Sequence, residues 1–551
     1  MARSTRPRWS RSPGQAPGRR AFTSTTAVVA ASTLLLAGCT GGGDDSADGS
    51  GDSSGGGELT ILVVKHPLTR AMEDMAWVAE LEKAADVSIT WEEVSADWDQ
   101  KKSTMLAAGD TPDLIIGGNA ITDSDLATFR SLFEDLSDDM DALPNVQAMF
   151  EEVDGVKEMA TQADGSVYAL PSWKEFWPQA ITRQYINQQW LDNLGLATPT
   201  TWDELYDVLL AFKEQDANGN GDPADEIPMD WSPVTTTGYG YFQPTALLGS
   251  LGLPITGGGG TGYFVEDGQV GNFLADERWK EVLTFLNRAY AAGLVNTNVI
   301  TQDYSAYQSI GRGSGDTAAV GFSWGWTASD RFGAQLAPQY ASMAPLPAEA
   351  GQSEPVTWSY DFENLTPNHV VVSAQTDAKD AALRVVNEFY GQDMSMQVLF
   401  GDFGTNVEKA GDDAYEVLPP ADGTSDPSTW KWTSTLADGG PLWIRSGMDV
   451  TLPTDLAEAV EQSAPLADAV ANVDADEDVL PPYLKMSTED LSTIALNNST
   501  ILNISQTKFA EFVTSGGIEA GWDDYVAQLE ASGLEQNVEL YQKYYDEAGQ
   551  G

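Results

Sequence analysis

Between residues 58 and 119 the hydrophobic period switches back and forth between strand-like and helix-like. That alternation restricts the fold more than anything else in the chain. Glu58-Leu59-Thr60-Ile61-Leu62-Val63-Val64 is an aliphatic run of the kind that makes a strand buried on both faces. Residues 72–85 read as a helix, 87–91 as a strand and 98–108 as a helix, and 112–118 form a strand ending in a glycine turn. Strand–helix–strand–helix–strand demands a parallel sheet covered by helices, so the fold class is α/β. Ligands of such sheets sit outside the carboxyl ends of the strands. Those ends carry Lys65-His66 and Gly118-Asn119, which makes Lys65, His66 and Asn119 candidate ligand-binding residues. Further on, 167–171, 318–322 and 369–372 read as strands, and 202–215, 276–292 and 378–390 as helices. Residues 404–482, rich in Asp, Pro and Gly, show no clear period, and the chain is largely helical from 488.

The start of the chain is an address. Arg3, Arg6, Arg8, Arg11, Arg19 and Arg20, with no acidic residue among them, precede an apolar stretch over 27–38. The stretch ends in Leu36-Ala37-Gly38-Cys39, whose cysteine is the only one in the chain. This is the layout of a secretion signal. It resembles the lipobox of bacterial lipoproteins, in which the cysteine is lipidated and becomes the first residue of the mature protein. Arg19-Arg20-Ala21-Phe22 partly resembles a twin-arginine export signal. Residues 1–38 are thus expected to be a lipoprotein signal peptide, and 39–57 a lipid anchor on a flexible Gly/Ser/Asp tether. The expected location is the extracellular face of the cell membrane. With Cys39 committed to lipid, no disulfide can form in the mature domain, which is long enough for two or more lobes. The formal net charge is −54, and loss of the signal removes six arginines and makes it more negative still. Such a chain repels polyanions, which excludes nucleic acid and anionic lipid surfaces as partners.

No catalytic signature is present: no phosphate-binding Gly-rich loop, no nucleophile elbow, and only two histidines, His66 and His369, far apart in sequence. The chain is therefore read as a binding protein, not an enzyme. One loop is chemically specific. Asp216-Ala-Asn-Gly-Asn-Gly-Asp-Pro-Ala-Asp-Glu226 sets short oxygen-bearing side chains at alternate positions and begins like an EF-hand, but Ile227 stands where the bidentate glutamate of an EF-hand would be. A structural Ca²⁺ is expected there. The second feature is aromatic. Trp173 and Trp177 follow a proline turn, Trp324 and Trp326 follow a strand, and Trp358 and Tyr360 precede Asp361 and Glu363. Aromatic rings suit the C–H faces of sugars and nearby polar groups suit the hydroxyls, so Trp173, Trp177, Trp324, Trp326, Trp358, Tyr360 and Glu363 are candidate ligand contacts.

Taken in order, these motifs resemble the family 1 extracellular solute-binding proteins, the receptor lipoproteins of carbohydrate ABC transporters. The resemblance is strongest to the branch of large receptors that includes LipO-like and alginate-oligosaccharide-binding proteins. It is carried by Cys39, the 216–228 stretch, Leu286-Asn-Arg-Ala-Tyr-Ala-Ala-Gly-Leu294, Val320-Gly-Phe-Ser-Trp-Gly-Trp326, Phe400-Gly-Asp-Phe-Gly404 and the ending at 522–545. Gly401-Asp402-Phe403-Gly404 departs from the family's glycine-glutamate-glycine. The resemblance implies Ca²⁺ ligands at Asp216, Asn218, Asn220, Asp225 and Glu226, with the Asp222 carbonyl. It also implies a type II periplasmic-binding-protein-like fold: two α/β lobes, a ligand cleft between them, and extra C-terminal helices. Lobe 1 would take 58–170 and about 344–371, and lobe 2 would take 171–343 and about 372–551. The chain would cross between lobes near Tyr168–Pro171, Met343–Leu346 and Val370–Ser373. Expected partners are a sugar or oligosaccharide, ABC permease subunits, and the membrane through the anchor alone, with the receptor itself a monomer. An oligopeptide-binding receptor and a surface polysaccharide-degrading enzyme are the competing readings.

Overall fold

The computed structural model describes residues 57–548, apart from 177, 236–237, 362–363, 421–432 and 476. Its strands are β1 (Gly57–Val64), β2 (Val87–Val94), β3 (Leu114–Ile116), β4 (Ala169–Lys174), β5 (Arg183–Asn187), β6 (Ile227–Asp230), β7 (Tyr263–Glu266) and β8 (Gln269–Asn272). They continue with β9 (Val320–Gly325), β10 (Tyr340–Ser342), β11 (Leu365–Val372), β12 (Val407–Lys409), β13 (Ala414–Val417), β14 (Trp443–Ile444) and β15 (Asp449–Thr451). The aliphatic run opens the first sheet as expected, because β1 pairs in parallel with β2 on one side and β3 on the other. Side chains alternate across a strand. Leu59, Ile61 and Val63 accordingly enter one core and Leu62 enters a second on the opposite face. Helix Ala76–Ala85 covers the first face with Trp77, Val78, Leu81 and Ala85. No side chain at its N-cap holds that helix, and Asp402 does so from a distance, its Oδ1 accepting from Trp77 N at 2.9 Å. The residue that departs from the family pattern at 401–404 thus takes a structural role in the first lobe.

The complete first sheet runs β14-β4-β11-β3-β1-β2, with β11 antiparallel to both β3 and β4. The second runs β10-β5-β9-β6. Its core gathers Trp190, Leu205, Phe212, Trp279, Phe322 and Trp358, among others. Three C-terminal helices, Thr488–Ser515, Ile518–Ala531 and Leu534–Ala548, add to that second core through residues such as Phe509, Phe512, Trp522 and Leu529. The architecture is two-lobed α/β, one lobe on each sheet. Among the described residues no helix is long and apolar enough to cross a membrane.

The passages between lobes are displaced from their expected places. The first follows β4 and occupies 175–182, so 168–171 lies in and beside the first sheet. The second was expected at Met343–Leu346, but Met343, Leu346 and Trp358 pack in the core of the second lobe, so the chain leaves that lobe only near Tyr360 and is in the first sheet by Leu365. Residues 370–373 are not a crossing: Val370, Val371 and Val372 pair with β3 inside the first sheet. The chain then stays in the first lobe. Helices Lys379–Phe389 and Gln392–Phe400 bury Ala382, Val385, Val386, Phe389, Val398 and Leu399 in the core of β1. The described residues between 372 and 444, expected in lobe 2, therefore belong with lobe 1. The third passage comes after β15. Past it, the helix Thr454–Ser463 meets the second sheet through Arg183, whose Nε donates to the Ala459 carbonyl at 3.0 Å.

Candidate ligand-binding site

The first two passages meet and line one cavity of about 450 Å³, within the range typical of small-molecule sites. Strand pairing sets its floor. Trp173, near the end of β4, pairs with Leu365 of β11 on one side and Trp443 of β14 on the other, and all three line the cavity. The Trp173 ring is half-buried, and its Nε1 donates to Glu175 Oε2 at 3.0 Å. From the second passage Tyr360 and Asn364 complete the wall, opposite Tyr483, and Glu152 and Asp154 stand at the edge. Gln179 Nε2 donates to the Tyr360 hydroxyl at 2.9 Å, which ties one passage to the other.

Asp361 fixes this arrangement from behind. Its carboxylate is buried and accepts from the backbone N–H groups of Ile181 and Gly257, both at 2.9 Å, and from Ser359 Oγ at 3.1 Å. Its own N–H donates to the Gln179 carbonyl at 2.7 Å. A buried carboxylate satisfied by backbone donors is held in one geometry, so both walls are set before any ligand arrives. Trp443 forms the buried base of the floor: it is 1% exposed, Arg445 lies over its ring, and its buried Nε1 has no hydrogen-bond partner among the described residues. Aromatic faces with carboxylates and amides make a surface that can stack on an apolar ring face and hydrogen-bond polar groups around it. A second, more apolar hollow of about 530 Å³ shares Gln179, Tyr360 and Ala475 with the first.

Of the candidate contacts, Trp173 and Tyr360 are brought together in this cavity. The others are not. Trp324 and Trp358 are 0% exposed and belong to the core of the second lobe. Trp324 sits on β9, an inner strand with β5 and β6 on either side, and the Trp358 indole N–H is spent on the Thr182 carbonyl at 2.8 Å. Trp326 lies under the Arg183 guanidinium, 4.5 Å from ring centre, and its carbonyl accepts from Arg183 Nη1 at 2.7 Å. Burial pulls Arg183 down to about 10, with Tyr185, Asp361 and Glu458 opposing, so it remains a cation at neutral pH. Lys65 pairs with Glu93 and donates to the Thr69 carbonyl at 2.9 Å; His66 and Asn119 are exposed, Asn119 with a left-handed φ of 52°. None of these three lines the cavity. Cys39, Trp177 and Glu363 lie outside the described residues. Glu152, Asp154, Glu175, Gln179, Asn364, Trp443 and Tyr483 escaped the sequence reading. Glu175, Gln179 and Asn364 had a signal nearby, in Trp173, Trp177 and Glu363; the others had none.

The 216–226 loop is a separate element. Helix Trp202–Glu214 leads into it. Asp225 accepts from Asn218 Nδ2 at 2.9 Å and Asn220 Nδ2 at 2.7 Å, while Gly221 N donates to Asp216 Oδ2 at 2.9 Å. Asp216 Oδ1 and Glu226 Oε2 are buried without a partner. Burial, reinforced by Asp225 nearby, raises the Glu226 carboxyl above its ordinary range. Two orphaned carboxylate oxygens fit a hard cation, which would satisfy both. Among the described residues no three His, Cys, Asp or Glu side chains converge as a metal cluster, so amide and carbonyl oxygens would have to complete the shell.

Comparison with known proteins agrees with this architecture. The family described as bacterial extracellular solute-binding protein matches residues 68–395. The fructooligosaccharide ABC transporter substrate-binding protein FusA of Streptococcus pneumoniae serotype 4 is 28% identical over 494 residues, which span 85% of this chain and 86% of FusA. The crystal structure of FusA in complex with kestose has a TM-score of 0.73 at 25% identity, covering 89% of this chain and 99% of that one. An HMO-binding, ABC-transporter-associated solute-binding protein from Bifidobacterium longum infantis is 33% identical, with a TM-score of 0.83 over 90% of this chain and 99% of that one.

Proposed function

The chain belongs to the bacterial extracellular solute-binding protein family, and on that premise we propose that it is the receptor of an ABC importer. In this reading it takes up a sugar or oligosaccharide in the cavity between the lobe passages and delivers it to permease subunits. The observation that carries the reading is the meeting of Trp173, Tyr360, Tyr483 and Trp443 with Gln179, Asn364 and the bordering carboxylates in one pre-shaped cavity. Stacking surfaces with polar groups around them suit a pyranose or furanose ring. The names of FusA and of the Bifidobacterium relative, both oligosaccharide receptors, support the same class. Closure of two lobes over the solute would then signal occupancy to the transporter.

Trp173→Ala is the direct test. Removing a central aromatic anchor of a binding site costs about 1.4–2.8 kcal/mol, so calorimetry should show a roughly 10–100-fold loss of affinity for the best-bound oligosaccharide, with thermal stability nearly unchanged. Binding of peptides and not of saccharides would favour an oligopeptide receptor and end the sugar reading.

Two further parts of the proposal rest on sequence and local geometry. Cys39 is the lipidation site that tethers the domain to the outer face of the membrane, and the 216–226 loop holds a structural Ca²⁺ through Asp216, Asn218, Asn220, Asp222, Asp225 and Glu226. The orphaned oxygens of Asp216 and Glu226 support the ion. After chelator treatment, added Ca²⁺ should bind with measurable heat and stabilise the fold by about 2.7 kcal/mol at a hundredfold excess over Kd. Asp216→Ala should abolish both effects. A stripped protein that neither releases heat nor gains thermal stability with Ca²⁺ would remove the ion from the account.

A further inference from the structure

We infer that the cavity selects uncharged saccharides and turns away carboxylated ones such as uronides or sialylated chains. The inference rests on the sugar-receptor reading and narrows its substrate class. Three carboxylates, Glu152, Asp154 and Glu175, line the cavity, and among the described residues no lysine or arginine does. Basic residues close in sequence to the lining have other partners or are buried. Arg445 lies over the Trp443 ring, 4.2 Å from its centre, with its guanidinium directed to Gln392 Oε1 at 3.3 Å and Asn145 Oδ1 at 3.4 Å. Lys485 is bonded to Asp123 Oδ2 at 2.9 Å, and Lys174 is 2% exposed.

Recognition of a carboxylated ligand calls for a facing cation, best a bidentate arginine. Without one, an incoming carboxylate loses its water and meets like charge. A neutral hydroxyl-rich ring loses nothing comparable, because the carboxylates and amides of the lining accept its O–H groups. Glu152, Asp154 and Glu175 are exposed at the edge of the cavity, so their effect acts through water and salt screens it.

Calorimetry on the whole exported domain tests this, with neutral fructo- or galacto-oligosaccharides set against oligogalacturonides and sialylated oligosaccharides of equal length. Neutral chains should bind at least about tenfold more tightly at low ionic strength, with the gap narrowing in high salt. The triple variant E152Q/D154N/E175Q keeps a hydrogen-bonding side chain at each position and should close most of that gap. D154N alone, at an exposed position, should close part of it should the triple variant fold poorly. Carboxylated chains that bind as tightly as neutral ones and lose affinity on Trp173→Ala would overturn the charge filter and leave the sugar reading standing. Failure of every saccharide to bind would overturn both.

Discussion

Arg331→Met is expected to lower the folding stability of this protein by about 3–5 kcal/mol, through a buried ion pair that no motif announces. Asp230 ends β6 and Arg331 lies on the helix Ala328–Phe332. Both are fully buried, with Arg331 Nη2 at 2.8 Å from Asp230 Oδ2. The other Asp230 oxygen accepts from Asn296 Nδ2 at 3.0 Å and Gln302 Nε2 at 2.9 Å. Arg331 Nε donates to Ser323 Oγ at 3.1 Å and Nη1 donates to the Tyr307 carbonyl at 2.6 Å, while the guanidinium stacks 3.6 Å from the Tyr307 ring centre. Gly311 makes room for it: a Cβ there would stand 1.8 Å from Arg331 Nη1. The geometry is complete, so the cost of breaking it comes from the partner left behind, a carboxylate in the core with no counter-charge. The double variant Asp230→Leu/Arg331→Met removes that orphan and should recover most of the loss in urea or thermal unfolding. A double variant no more stable than Arg331→Met would show that packing, and not the stranded charge, sets the cost.

The pair lies 101 positions apart in the chain, which is why it was invisible in the sequence, whereas the β1–β3 part of the first sheet was legible to within a few residues. Strands and helices announce themselves through local period, and the 58–116 alternation has it. β11 was half-read because its ladder slips between Thr366 and Val370, where Asn368 takes a left-handed φ of 53°. Only the regular end, 369–372, carries a strand pattern. The passages between lobes were misplaced for a different reason. Whether residues 370–373 cross or stay depends on which strand receives them, and that partner, β3, is more than 250 positions away. The cavity was legible only where aromatics stood close to a readable strand end, as Trp173 does. Trp443 lies inside the unreadable 404–482 region and gave no signal. Sequence could also not separate tryptophans that fill a core from those that face a ligand, since both follow strands.

That separation is itself testable, and Trp324 is the sharper case. Its ring is 0% exposed, packs edge-on to Phe322 at 5.0 Å between ring centres, and sits in the core of the second lobe. Its carbonyl accepts from the Tyr307 hydroxyl, which joins it to the Arg331 network. Trp324→Ala empties a large core position, and such truncations cost about 3–5 kcal/mol because the surroundings collapse only in part. The expected result is a marked fall in melting temperature, while the protein that remains folded binds its solute with affinity within a few-fold of the parent. Trp173→Ala should show the opposite pattern, a weakened affinity on a stable fold. Trp324 was expected to touch ligand, and a large loss of affinity in folded Trp324→Ala protein would restore that role. It would also mean that the cleft reaches β9, deeper into the second lobe than the cavity at the passages. The two variants therefore locate the site as well as test it, because one tryptophan stands where the lobes join and the other lies inside a lobe.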